Sequence, residues 1–181
     1  MNDERLIGVY ARIEDAAILA EAGRYEGALL LLLVAVAATS RKRYPRGTKS
    51  RKNISEDMGD KEAFETFLRD EIWRLVKEHD DAVIYRGKKI PIERFLYKYL
   101  RCQLVHEGQM PVDLQPMQKQ DVITIDFENG TGISFTPLFL ARINDVICRV
   151  PENSYYAMKP ELDDLKNRDS NHRLRELTQK K

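Results

Sequence analysis

The chain has 181 residues, 30 of them basic and 29 acidic, for a formal net charge of +1. That length suits one domain with a sizeable core and is short for two. The even charge balance excludes a generic polyanion binder, so any affinity for nucleic acid must come from local clustering.

Leu6, Val9, Ile13, Ala16, Ala17 and Ala20 recur at helical spacing, which predicts a first helix over about 3–22, stopped by Gly23. A second helix follows over about 24–40. Its apolar stretch, 27–38, is bounded by Arg24 and Arg41 and is shorter than the roughly 18 to 20 residues that cross a bilayer. It therefore reads as a buried central helix, with no membrane insertion expected. Pro45, Gly47, Asn53 and Gly59 then mark 41–60 as a loop. A third helix places Phe64, Phe67, Leu68, Ile72, Leu75 and Val76 on one face. Pro91 suits the first turn of a fourth, which turns Ile92, Phe95, Leu96 and Tyr99 inward.

Beyond Pro111 and Pro116, alternation through Val122–Phe127 and the turn signal Glu-Asn-Gly-Thr-Gly predict a β-hairpin over about 121–136. Thr136 and Pro137 can start a fifth helix with Phe139, Ile143, Val146, Ile147 and Val150 inward. The expectation is a mainly α domain over 1–150, a bundle of four to five core helices with a small hairpin inserted. A charged tail follows over 151–181, partly helical from Pro160. Cys102 and Cys148 fall in apolar helical patterns and read as packed thiols. With no signal peptide before the first helix, they fit a reducing cytoplasm better than a disulfide framework. Gly-rich phosphate loops, Cys-x-x-Cys pairs and His-Glu-x-x-His are missing from the sequence, so no metal or cofactor is expected.

Chemistry concentrates in Tyr99-Leu-Arg-Cys-Gln-Leu-Val-His-Glu-Gly108. Arg101 is a fixed cation that can hold a phosphate, and His106 titrates near neutral pH and can move a proton. Spacing alone is weak support, since Arg74 and His79 share it and Arg168 and His172 miss it by one. The bland reading is also open: His106 continues the stripe Ile92, Phe95, Tyr99, Cys102 and could be a core histidine near a helix end. Five helical residues turn the chain by about 500°, leaving the two side chains about 140° apart on a straight helix. Either the helix ends before His106, or Arg101 of one subunit meets His106 of another. Tyr97, Tyr99, Cys102, Gln103 and Glu107 lie close enough in sequence to line such a cleft. A second cluster, Arg41, Lys42, Arg43, Arg46, Lys49, Arg51 and Lys52, contains no acid. It reads equally as an RNA-gripping loop or a solvated one.

These residues resemble the HEPN superfamily of all-helical domains over about 3–150. The resemblance rests on the opening helical hairpin, with Ala-Gly-Arg-Tyr-Glu-Gly-Ala-Leu at 22–29, and on the Arg-x4-His stretch ending a helix. It implies a homodimeric, metal-independent endoribonuclease with Arg101 and His106 as catalytic residues. The implied setting is toxin–antitoxin or antiphage defence, with an antitoxin or regulatory protein as a further partner. Cys102 stands where active members often carry Asn, Asp or His, and Ala37-Ala-Thr-Ser40 stands where a carboxylate is common. A catalytically idle module that binds nucleotide or RNA, and a structural dimer that scaffolds a partner, are the rival readings.

Overall fold

The computed structural model describes residues 8–75, 82–85, 87–108 and 137–153. The hairpin expected over 121–136 and the tail beyond 153 lie outside these residues, as do His79, Arg168 and His172. Within them the protein is mainly helical. Helices α1 (Val9–Glu21) and α2 (Tyr25–Arg43) form the opening hairpin, and α3 (Asp60–Leu75) follows an irregular loop. A two-stranded antiparallel sheet, β1 (Ala82–Tyr85) and β2 (Lys88–Pro91), leads directly into α4 (Ile92–Phe95). The chain continues without a break through a π-helical segment, Leu96–Arg101, into α5 (Cys102–Glu107). The last core helix is α6 (Pro137–Arg149), closed by a 3₁₀ turn at Pro151–Asn153.

Gly23 stops α1 as its sequence position predicts. At φ +72° it lets the Gly23 amide donate to the Ala20 carbonyl and the Arg24 amide to the Leu19 carbonyl, capping two orphan acceptors. The central position of α2 follows from its composition: it packs against α1, α3, α6, the π segment and the terminal turn. Leu29, Leu33, Ala35 and Val36 on α2 are fully sequestered. Phe64, Phe67 and Leu68 from α3, Phe95, Leu96 and Leu100, and Phe139, Ile143, Val146 and Ile147 from α6 complete one core.

Three elements depart from the sequence expectation. The first is the sheet at 82–91, where Val83 pairs with Ile90 and Tyr85 with Lys88 across a two-residue turn containing Gly87 at φ +71°. Pro91 accordingly ends a strand instead of opening a helical turn. Secondly, α2 runs on to Arg43, so Arg41, Lys42 and Arg43 belong to a helix and not to a loop over 41–60.

The third concerns Pro151–Asn153, assigned by sequence to the tail, which is built into the core. Asn153 is buried, donating from Nδ2 to Thr39 Oγ1 (3.0 Å) and the Ile147 carbonyl (2.8 Å) and accepting from Lys42 Nζ (2.8 Å). Its main-chain oxygen accepts from the Tyr10 hydroxyl at 3.0 Å. Beside it, both Glu152 oxygens accept from Arg43, at 2.7 and 2.9 Å. The Arg43 hydrogen bonds hold the Glu152 carboxyl below its ordinary value near 4.5, against an upward push from burial. A carboxylate whose folded pKa is lowered adds stability above its ordinary value and loses it as pH falls through the folded one. Urea unfolding at a series of pH values should therefore show stability falling from about pH 4.5 downward. Glu152→Gln should flatten that acid limb; an identical limb in the variant would remove this ion pair from the account.

Candidate functional site

The run from Ile92 to Glu107 carries the Arg101 motif, and its geometry is set by the π segment. The Cys102 amide donates to the Tyr97 carbonyl, a bond spanning five residues where an α-helix would span four. Arg101 lies over the ring of Tyr97, four residues earlier on the same run, its guanidinium carbon 5.4 Å from the ring centroid. Phe64 backs the same ring edge-on, with centroids 5.3 Å apart and planes at 63°. Burial pushes the Tyr97 phenol above its ordinary value, with Cys102 adding to the shift and Arg101 opposing it. The ring is therefore a neutral face under the cation.

Arg101 is half-buried and has no carboxylate or other hydrogen-bond acceptor among the described residues. Its Nε is fully sequestered and unpartnered, and so is Oε1 of Gln103 two residues on. Arg41 and Arg43, buried to a similar degree, behave otherwise. Arg41 Nε donates to Asp60 at 2.6 Å, and Arg43 is shared by Glu71 and Glu152 while its guanidinium carbon sits 4.7 Å over Phe67. A buried donor without an acceptor costs about 1–3 kcal/mol, more for a charged group, so Arg101 is an unusual residue on energetic grounds.

His106 is exposed, in the last turn of α5 before Gly108 at φ +69°, which overturns the core-histidine alternative. Its neighbour Val105 is 46% exposed although apolar, and Glu107 is exposed too. Among the described residues no hydrogen bond, ion pair or ring contact joins Arg101 to His106. Cys102 and Gln103 are half-buried. Tyr99 turns instead to the sheet, stacking on Phe95 (5.5 Å) and lying 4.9 Å from Tyr85. Where the resemblance leads one to expect a carboxylate on α2, the hydroxyls of Thr39 and Ser40 donate back to the Ala35 and Ala37 carbonyls.

The basic run is largely committed within the protein. Besides the pairs of Arg41, Lys42 and Arg43, Lys49 meets Asp57 (2.8 Å), Arg51 meets Asp70 (3.4 Å), and Lys52 lies 3.8 Å from Glu65. Only Arg46 makes no side-chain hydrogen bond or ion pair among the described residues. The loop itself is ordered by main-chain bonds, Met58 to Thr48 and Ser50 to Glu56, and by the Lys49–Asp57 bridge. The first turn of α3 connects the two regions: Asp60 accepts from Arg41 and its charge also acts on the Tyr97 phenol beneath Arg101. Exposed pairs such as Lys49–Asp57 contribute little, so a phosphate could displace the acid there, but not at Arg43 without breaking the core.

Among the described residues no group of three or more His, Cys, Asp or Glu is placed to hold a metal ion, and no helix is long and apolar enough to cross a membrane. A small recess between α1, α2 and α6, lined by Ile13, Ala17, Leu32 and Leu140, is apolar and offers no chemistry. Fold and site together define a mainly helical bundle in which a partly desolvated arginine, without a counter-ion among the described residues, precedes an exposed histidine. The chain belongs to the Rv1289 family, whose sequence model matches residues 8–135. That match spans α1 to α5 and stops short of α6. No curated protein and no solved structure matches the chain.

Proposed function

We propose that this protein is a HEPN-like, metal-independent endoribonuclease acting as a homodimer, with Arg101 and His106 as its catalytic residues. The observation that carries the reading is the state of Arg101: half-buried, without a counter-ion among the described residues, five residues before an exposed imidazole on the same helical run. A guanidinium in that state is suited to an oxyanion, whose two nonbridging oxygens match its planar fork.

In the proposed reaction neutral His106 takes the proton of a ribose 2′-hydroxyl, and that oxygen attacks the adjacent phosphorus. Charge gathers on the nonbridging oxygens facing Arg101. The P–O5′ bond breaks as the His106 imidazolium so formed returns its proton to the leaving oxygen, with Arg101 supplied by the second subunit. The products are a 2′,3′-cyclic phosphate and a 5′-hydroxyl, with the proton carried from one oxygen to the other and His106 neutral again. Each proton transfer of this kind supplies about 10²- to 10⁴-fold.

An idle RNA- or nucleotide-binding module is the second reading, favoured by the structural use of Thr39 and Ser40 where a carboxylate is expected. Incubating the protein with a mixed RNA pool in excess EDTA separates the two. Fragments ending in cyclic phosphate are the expected result; RNA that binds and stays intact would leave only the idle module.

A further inference from the structure

We propose that Tyr97 is a positioning residue for a phosphodiester at Arg101, its ring holding the guanidinium where another protein would use a carboxylate. The inference rests on the proposed reading in taking RNA as the source of the phosphodiester, and it adds a residue and a mechanism that reading does not contain.

A half-buried guanidinium needs some favourable neighbour, or it swings out to water. A carboxylate would hold it but cancel its charge and occupy its terminal N–H groups. An aromatic face attracts the cation through the ring quadrupole, leaves the charge whole and blocks no donor. Tyr97 is in that place, 5.4 Å from the guanidinium carbon, and is itself fixed by the fully buried Phe64. Residues 97 and 101 are four apart on one helical run and so lie on the same face. Asp60, the acid whose charge is felt at Tyr97, is paired with Arg41 at 2.6 Å. The sequestered Nε of Arg101 has no acceptor among the described residues.

The probe is a 2′-O-methyl RNA oligonucleotide, which has the phosphodiester but no hydroxyl able to attack it. Binding to the full chain is measured by fluorescence anisotropy for Tyr97→Phe, Tyr97→Leu and Tyr97→Met, each alone and combined with Arg101→Ala, with thermal unfolding recorded for all. Tyr97→Phe keeps the ring and should bind within about twofold of the unaltered protein. Tyr97→Leu and Tyr97→Met should bind about fivefold or more weakly, the scale of one cation–π contact. In the Arg101→Ala background the same changes should have no further effect, a non-additivity that a merely structural role would not give. Equal binding by the Leu and Met variants, or an undiminished loss in the Arg101→Ala background, would overturn the inference. Binding that depends on Tyr97 while unmethylated RNA stays intact supports the inference and removes the nuclease. Cleavage indifferent to Tyr97 does the reverse, and no binding by the unaltered protein ends both.

Discussion

Asn153→Ala is expected to lower the free energy of unfolding by about 2–4 kcal/mol, a large part of the roughly 5–15 kcal/mol a domain of this size holds. The side chain is wholly buried and satisfies groups from two different helices, Thr39 on α2 and the Ile147 carbonyl on α6. Alanine leaves the carbonyl without its donor in a place water does not reach. Thr39 suffers less, because its hydroxyl still donates to Ala35, and Lys42 is exposed enough to turn to solvent. The main-chain acceptor for Tyr10 survives the substitution, but the turn that aims it loses its anchor. Urea denaturation followed by circular dichroism measures the change. A variant within about 0.5 kcal/mol of the unaltered protein, the range of ordinary surface changes, would show that Pro151–Asn153 does not hold α1, α2 and α6 together.

Arg101→Ala and His106→Ala are each expected to lower RNA cleavage by about 10²-fold or more, while neither lowers stability by more than about 0.5 kcal/mol. The contrast between the two readouts matters more than either alone. His106 is exposed, and Arg101 trades one cation–π contact against a sequestered donor with no acceptor, so its removal relieves a cost as it forfeits a contact. An arginine kept for structure would behave like Arg43, whose loss strands Glu71 and Glu152. Because the two residues are proposed to serve one transition state, the double variant should be little worse than the poorer single one. Cleavage that persists in both single variants would assign the activity to another site.

The helices were legible because burial leaves a 3.6-residue period, clearest in Phe139 through Ile147 of α6, while α2 was legible as an unbroken apolar run. Gly23 announced its turn because only a residue free of Cβ strain takes φ +72° cheaply. The sheet at 82–91 escaped notice because each strand has four residues and β2 spends two of them on exposed lysines. Its one signal was the glycine two residues after Ala-Val-Ile-Tyr. The extra turn of α2 and the inclusion of Pro151–Asn153 share a cause: both are stabilised by polar side chains finding distant partners, Arg43 with Glu152 and Asn153 with Thr39. Hydrophobic periodicity carries no trace of such pairs. At the candidate site, the spacing of Arg101 and His106 is written in the chain, and so is the four-residue step from Tyr97 to Arg101, whereas the lack of an acceptor for Arg101 Nε among the described residues depends on what the rest of the fold brings near it. The committed state of the basic run was equally hidden, since its acids come from α3, the loop's far side and the terminal turn.

The most direct test of the proposed composite site mixes two inactive proteins. Arg101→Ala and His106→Ala, unfolded together and refolded to exchange subunits, should regain about a quarter of the cleavage of the unaltered protein. Half of the dimers are then mixed, and each mixed dimer keeps one of its two Arg101–His106 pairs intact across the twofold axis. Cleavage no higher than that of either variant alone, with mixed dimers present, would contradict the pairing of Arg101 from one subunit with His106 from the other.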